Sequence, residues 1–186
     1  MIILASASPR RQELLSRITL DFQVISSDVS EETDSGDPRE VVSELAGRKA
    51  EAVSRLHPSD VVIGCDTVVY AGGEILGKPQ DRRDAERMMR LLAGRDHRVC
   101  TGVDIRRGTE RRLGVDYTRV SFTEISEEEL AWYLDHADYM DKAGAYAIQG
   151  EASRFIRCID GSPSGVMGLP IELTYHMLKQ FEGAVL

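Results

Sequence analysis

The sequence predicts an α/β fold, and three observations carry that expectation. The chain opens on an apolar run, Met1-Ile2-Ile3-Leu4-Ala5, turns through Ser6-Ala7-Ser8-Pro9-Arg10-Arg11, and continues with Leu14, Leu15 and Ile18 at helical spacing; the pattern is strand, tight turn, helix. A long amphipathic stretch opening at Pro38 leads into a second apolar run, Asp60-Val-Val-Ile-Gly-Cys-Asp66, of the kind found in buried strands. Two longer β-type segments, residues 99–106 and 113–122, are joined through residues 107–110, with an imperfect alternation that leaves their facing open.

In the first turn, Ser8 suits the N-cap and Pro9 the first helical position. Unpaired N–H groups at a helix start, with two arginine forks beside them, match phosphate oxygens. The turn therefore reads either as an anion site or as an ordinary capped helix with both arginines in solvent. Residues 22–26 form a second strand, and the acidic polar segment 28–37 a solvated loop. The helix from Pro38 runs to about Leu56, with Val42, Leu45, Ala46, Val53 and Leu56 on one stripe and Lys49 near its centre. Lys49 either snorkels to the rim or is aimed into a cleft.

The run that starts at Asp60 ends on Asp66, followed by Thr67. Ligands of open α/β sheets gather beyond the carboxyl ends of strands, so Asp66 sits where chemistry is expected or else simply begins a turn. Residues 68–70 and 74–76 flank Ala71-Gly72-Gly73, a hairpin signal. Gly77-Lys78-Pro79 precedes a helix with Ala85, Met88, Met89 and Leu92 on one face, closed by Gly94. The methionines read as core filling, and Lys78 at a helix start as a modest phosphate hint. Ser126-Glu-Glu-Glu129 is a capping box opening a helix through Leu130, Tyr133 and Leu134. Residues 141–150 are rich in small side chains, which permit close backbone approach. Residues 155–159 read as a strand, 161–168 as a loop, and Pro170 begins a last helix through Leu173, Met177, Leu178 and Phe181.

Length and composition bound the function. A chain of 186 residues suits one large domain or a two-lobed one, here residues 1–186 as a single unit, that buries roughly 70% of its unfolded surface. A net charge of −8 argues against a surface that coats nucleic acid, so an anionic ligand needs a locally basic pocket. Cys65, Cys100 and Cys158 are odd in number and unpaired in spacing, which suggests neither a disulfide framework nor a zinc knuckle and fits a reducing cytoplasm. His57, His97, His136 and His176 fall in no metal-ligand spacing and read as structural. No stretch has the form of a signal peptide or the length of a membrane span.

Six ordered stretches together resemble the Maf family of nucleoside-triphosphate pyrophosphatases: Leu4-Ala-Ser-Ala-Ser-Pro-Arg-Arg11, Leu45-Ala-Gly-Arg-Lys-Ala50, Gly64-Cys-Asp-Thr-Val-Val69, Gly77-Lys-Pro79, residues 141–150, and Val166-Met-Gly-Leu-Pro170. The chain departs from the usual pattern just before Val166, where it has Pro163-Ser164-Gly165 in place of aromatic and Asn or Ser residues. The resemblance implies an elongated mixed α/β sheet with flanking helices and two lobes around a central cleft, the Maf or ITPase-like fold, commonly as a homodimer. It implies hydrolysis of a nucleoside triphosphate to the monophosphate and pyrophosphate with a divalent metal, Mg²⁺, Mn²⁺ or Co²⁺. The family is also linked to control of septum formation, which leaves a nucleotide-binding regulator of cell division, acting through a partner, as the alternative.

Carried over by position, the resemblance makes Asp66 the acid at the reaction centre, with Glu31 as the acid of the loop after the second strand. Both are candidate metal ligands. Arg10, Thr67 and Gln149 match positions tied to substrate choice, and Ser8, Arg11, Lys49 and Lys78 match positions lining the phosphate path. The stretch with Lys142-Ala-Gly-Ala-Tyr146 and Ile148-Gln149-Gly150 is similar to the branch preferring dTTP and UTP; a glutamine amide both donates and accepts, as pairing with a uracil or thymine edge requires. Four cations against two carboxylates leave such a site at net +2. Attack of water on the α-phosphorus then rests on positioning and electrostatic stabilisation. Asp66 has two possible tasks there, taking the water's proton or ligating a metal that acidifies the water.

Overall fold

The computed structural model describes residues 1–181. In chain order the elements are β1 (Ile2–Leu4), α1 (Pro9–Leu15), β2 (Phe22–Val24), α2 (Pro38–Ser54), β3 (Val61–Ala71), β4 (Glu74–Leu76), α3 (Arg82–Leu92), β5 (Asp96–Arg107), β6 (Glu110–Phe122), α4 (Glu127–His136), β7 (Ile156–Asp160), α5 (Pro163–Val166) and α6 (Ile171–Leu178). Two 3₁₀ turns, Ala143–Ala145 and Glu151–Phe155, lie between α4 and β7. Seven strands form one mixed sheet in the order β2-β1-β3-β5-β6-β7, with β4 paired to β3. β1 runs parallel to β2 and β3, and the other pairings are antiparallel.

Local chemistry accounts for the element ends. Asp37, Asp81 and Ser126 cap α2, α3 and α4 with side-chain oxygens on first-turn N–H groups, and the Ser126–Glu129 capping box forms in both directions. Gly72 and Gly73, at φ +59° and +87°, make the tight β3–β4 turn that needs two left-handed residues. The helix predicted to reach Leu56 ends at Ser54, and Leu56 is 77% exposed, so it leaves the buried stripe. Ile18 lies in the turns after α1, and Phe181 lies beyond α6 yet is buried. The predicted loop 161–168 contains the one-turn helix α5, capped by Ser162.

Alternation along β3 divides its side chains between two layers. Val61, Ile63 and Cys65 face the cluster built with Leu14, Leu15, Met177 and Leu178, whereas Val62 and Val68 face the side packed by α2. On the α2 side the approach is close. A Cβ on Gly64 would stand 2.3 Å from the Ala46 carbonyl oxygen, and one on Gly102 would stand 2.4 Å from that of Val42. Only glycine lets the helix lie that near the sheet, and the nearness brings Lys49 of α2 to Asp66 of β3. On the other face the core splits into one cluster around α1 and α6 and another around α3 and α4. Each fully buried Leu, Ile or Phe there contributes about 1.5–3 kcal/mol over its exposed state.

One expectation is corrected by β3 and another by the cap of α3. Asp66 does not end a strand; β3 runs unbroken for 11 residues, with Asp66 at its middle. The reason is that β5 pairs it continuously from Val62 to Tyr70. The opposite edge is different: β1 covers it only at Val61–Ile63 and β4 only at Val69–Ala71. Among the described residues no strand covers residues 64–68 on that side. The carboxyl end that matters is therefore that of β1, which leaves the sheet into Ser6-Ala7-Ser8 beside Asp66. Lys78, in turn, does not start a helix, because Asp81 caps α3 three residues later.

Candidate active site

A cleft of about 610 Å³ opens at this gap. Its lining includes all nine residues singled out by sequence: Ser8, Arg10, Arg11, Glu31, Lys49, Asp66, Thr67, Lys78 and Gln149. They come from the start of α1, the loop after β2, α2, β3, the β4–α3 connection and the segment after α4.

Lys49 is the centre of one wall. Its side chain is 10% exposed, and Nζ donates to Asp66 Oδ1 at 2.6 Å and lies 2.7 Å from Glu31 Oε1. Of the two readings of Lys49 from sequence, the one aimed into a cleft holds. The carboxylates differ in setting: Asp66 is buried, whereas the Glu31 side chain is 56% exposed on its loop. The hydrogen bond from Lys49 holds the Glu31 carboxyl below its ordinary range against the opposing effect of partial burial, with Lys78 and Arg11 adding smaller pulls.

Arg11 is the centre of the other wall, and among the described residues its hydrogen-bond partners are neutral oxygens. Nε donates to the Gly168 carbonyl at 2.8 Å, Nη1 to Ser6 Oγ at 3.2 Å and Nη2 to Thr67 Oγ1 at 3.3 Å. A guanidinium has five N–H donors, so one remains on each terminal nitrogen, spaced as a fork for two phosphate oxygens. Among the described residues no carboxylate lies within ion-pair distance of it, and Glu31 feels its charge only at longer range. Ser8 caps α1, its Oγ accepting from the Arg11 backbone N–H at 3.5 Å. The helix has only seven residues, so the arginine side chains, rather than a long helix dipole, supply the positive field.

Arg10 is partly neutralised, with Nη1 donating to Asp141 Oδ2 at 3.3 Å. Asp141 also accepts from Lys142, whose ammonium lies 2.9 Å from Asp138. Sequence reasoning assigned no role to Asp141 or Lys142, although both lie in the small-residue stretch 141–150 and line the cleft; spacing alone does not tell that this stretch meets α1, 131 residues away. With them the lining carries five cations against three carboxylates, again net +2, in a chain of net charge −8. Among the described residues Lys78 and Gln149 have no side-chain partner, so ammonium and amide are both free for a ligand. Gly144 N–H donates to the Gly77 carbonyl at 3.0 Å, tying the segment that carries Gln149 to the residue before Lys78.

Two carboxylates meeting at one point provide hard oxygen donors, but among the described residues no three His, Cys, Asp or Glu side chains form a metal-holding group. That donor set fits a divalent cation which keeps part of its water and takes its other ligands from phosphate, as Mg²⁺ does. Asp66 and Glu31 are the residues that would hold it. Cys65 and Cys100 are buried, and burial pushes their thiols up to about 11 and about 12, so neither offers a thiolate near neutrality.

Known proteins resemble this chain in sequence and in fold. Residues 1–181 match the family described as Maf-like protein. The chain is 48% identical over 181 residues to a dTTP/UTP pyrophosphatase of Symbiobacterium thermophilum, covering 97% of this chain and 93% of that protein. It is 47% identical over 178 residues to a dTTP/UTP pyrophosphatase of Thermococcus kodakarensis, covering 95% of each. Among solved structures, the Staphylococcus aureus Ham1 protein shares the fold with a TM-score of 0.56 at 14% identity, over 96% of this chain and 98% of that one. The match over residues 1–181 and the relatives that span nearly both whole chains lead to one conclusion: the chain belongs to the Maf-like protein family.

Proposed function

We propose that this protein hydrolyses nucleoside triphosphates to the monophosphate and pyrophosphate, with dTTP and UTP as preferred substrates. The observation that carries the reading is the meeting of Asp66, Lys49 and Glu31 within 2.7 Å contacts in a cleft that holds four further cations. The dTTP/UTP pyrophosphatases that are 47–48% identical to this chain support the choice of substrate.

In this reading Arg11, with its two spare N–H groups, Ser8 and Lys78 hold the triphosphate, and Arg10 joins them by leaving Asp141. Lys49 turns from the carboxylates to phosphate oxygens as substrate enters, which frees Asp66 Oδ1 to accept a proton from water. The water oxygen bonds to the α-phosphorus, the bond from that phosphorus to the bridging oxygen breaks, and pyrophosphate leaves with the bonding pair. Charge building on the departing oxygens is met by groups already in place, the condition under which electrostatic stabilisation is most effective. A divalent cation, Mg²⁺, Mn²⁺ or Co²⁺, held by Asp66 and Glu31 together with phosphate oxygens, would neutralise charge and polarise the α-phosphate. Gln149 offers its carbonyl and amide N–H to the pyrimidine edge, and Thr67 bears on substrate choice through Arg11. The family reading also carries a homodimer in the cytoplasm acting on free nucleotides, within a single domain spanning residues 1–186. Light scattering of the purified protein tests the dimer.

Incubation with dTTP, UTP, GTP and 7-methyl-GTP, with and without each metal, tests the activity. The expected result is metal-dependent release of pyrophosphate, with kcat/KM for dTTP and UTP at least about tenfold above GTP, the scale of one net hydrogen bond. A purine preference would remove Gln149 from its role. No pyrophosphate from any nucleotide would overturn hydrolysis and leave a nucleotide-binding regulator.

A further inference from the structure

We propose that Thr101, wholly buried on β5 and outside the cleft lining, is a positioning residue that aligns Arg11 for phosphate. Three contacts fix the direction of a hydrogen-bond chain. Thr101 Oγ1 lies 2.8 Å from the Gly165 carbonyl, which can only accept, so the single Thr101 hydroxyl proton points there. The 2.9 Å contact between the hydroxyls of Thr67 and Thr101 must then be donated by Thr67. Having spent its proton, Thr67 presents lone pairs to Arg11 Nη2 at 3.3 Å.

The chain closes on itself. Gly168 N–H donates to the same Gly165 carbonyl at 3.0 Å, and the Gly168 carbonyl accepts from Arg11 Nε at 2.8 Å. The guanidinium is gripped at Nε and at Nη2 by two arms that meet at Gly165, and each bond polarises the next. The Gly168 backbone lies close against the guanidinium: a Cβ on Gly168, whose φ is +109°, would stand 3.2 Å from Arg11 Nε. Gly165 is itself seated by its N–H donating to Ser162 Oγ at 3.0 Å. Thr101 therefore sets which way the Thr67 hydroxyl faces and, through it, where the two spare Arg11 donors point. It touches no substrate.

This inference rests on the reading that Arg11 holds phosphate, and the test separates the two. Pyrophosphate binding to the purified protein is measured by calorimetry for wild type, T101V, T101S, R11Q and T101V/R11Q, with the thermal midpoint and the dTTP kinetics of each. T101V keeps the shape and removes the hydroxyl. It is expected to weaken pyrophosphate binding about tenfold, the scale of one charge-assisted hydrogen bond, and to raise KM for dTTP more than it lowers kcat. T101S is expected to stay within about twofold of wild type, since it restores the proton. In the R11Q background T101V should change nothing further, because Thr101 acts through Arg11. Equal losses in both backgrounds, or wild-type affinity in T101V, would overturn the proposal while leaving the hydrolase reading intact. Should T101V not fold, T67V opens the same chain one link earlier and must give the same Arg11-dependent loss. Wild type that neither binds pyrophosphate nor hydrolyses dTTP would overturn both.

Discussion

Replacing Lys49 by Met removes one positive charge and leaves an apolar stem of nearly the same length on α2. The ammonium it removes lies 2.6 Å from Asp66 and 2.7 Å from Glu31. The two losses are unequal. The Asp66 side chain is 10% exposed, so its charge is left without a partner in a poorly solvated place, where breaking a buried pair costs about 3–5 kcal/mol. Glu31, half in water, adds little, because exposed pairs contribute about 0–1 kcal/mol. The lower end, about 3 kcal/mol, is expected at pH 7.5, since Glu31 can swing into solvent and relieve Asp66. The pH dependence has a definite sign. Lys49 lowers the Glu31 carboxyl from its ordinary 4.5, so its contribution is present above pH 4.5 and is lost as pH falls through the depressed value. The gap between wild type and K49M should therefore be widest near neutrality and shrink below pH 4.5. Turnover of dTTP is expected to fall about a hundred- to a thousandfold, as when an oriented donor is taken from a developing anion. Urea unfolding at pH 7.5 and 4.0, beside steady-state pyrophosphate release, checks both halves. A variant as stable as wild type at pH 7.5, or one with unchanged turnover, would refute the pairing as the basis of the site.

Three further outcomes follow from other contacts. Asp66→Asn should keep nucleotide affinity within a few-fold but lose at least about a thousandfold in kcat, as expected where proton transfer and charge placement are removed together; near-normal pyrophosphate release would remove Asp66 from the reaction. Gly64→Ala places a Cβ 2.3 Å from the Ala46 carbonyl and should destabilise by about 1–3 kcal/mol through overpacking. It should also lower activity, because α2 must move away from β3 and carry Lys49 with it. His97 is buried against Phe122 and its Nε2 lies 2.7 Å from the Tyr146 hydroxyl; burial brings its pKa down from 6.5 to about 4. The unfolded chain then binds the extra proton first, so acid costs stability between pH 6.5 and 4, by about 2 kcal/mol on going from pH 7 to 5. His97→Phe should lack that loss in urea titrations at the two pH values, and an unchanged slope would count against it.

Much of the fold was readable because local rules and tertiary outcome agree. The capping box at Ser126, Pro at the first position of α1 and α2, and the Gly72-Gly73 turn each state their element in a few residues, and each element formed there. The miss at Asp66 has a different origin. An apolar run ending on an acid looks like a finished strand, yet pairing with β5 from Val62 to Tyr70 carries the strand through the acid and on into the hairpin. Sequence periodicity has no view of a partner strand some 35 residues later. The site shows the same division. Resemblance supplied the nine lining residues, and the cleft holds them all. What it did not supply are side chains that act at one remove, such as Thr101, or backbone acceptors such as the Gly168 carbonyl; neither residue type carries a chemical signature until the chain is folded around it.

The interrupted edge of β3 explains how neighbouring residues come to serve opposite walls of one cleft. Consecutive strand side chains point to opposite faces, so Asp66 meets Lys49 on the α2 side while Thr67 meets Arg11 and Thr101 on the side of α1 and α5. In an uninterrupted sheet a strand on that edge would separate these two faces. Here β1 stops at Leu4 and β4 begins its pairing only at Val69, so the space beside residues 64–68 is open to both. A ligand lying across that gap reaches the carboxylates on one side and the arginine fork on the other without the chain devoting a separate loop to each. The same arrangement sets a strict condition on β3. A shift of one residue in its register against β5 would place Thr67 towards α2 and Asp66 towards Arg11, which would pair the acid with the arginine fork and leave Lys49 without its buried partner. The antiparallel pairing with β5 over Val62–Tyr70, together with the fit of Gly64 and Gly102 beneath α2, keeps that register in place. The fold thus holds the Asp66–Lys49 pair and the Thr67–Arg11 contact apart by the thickness of one strand.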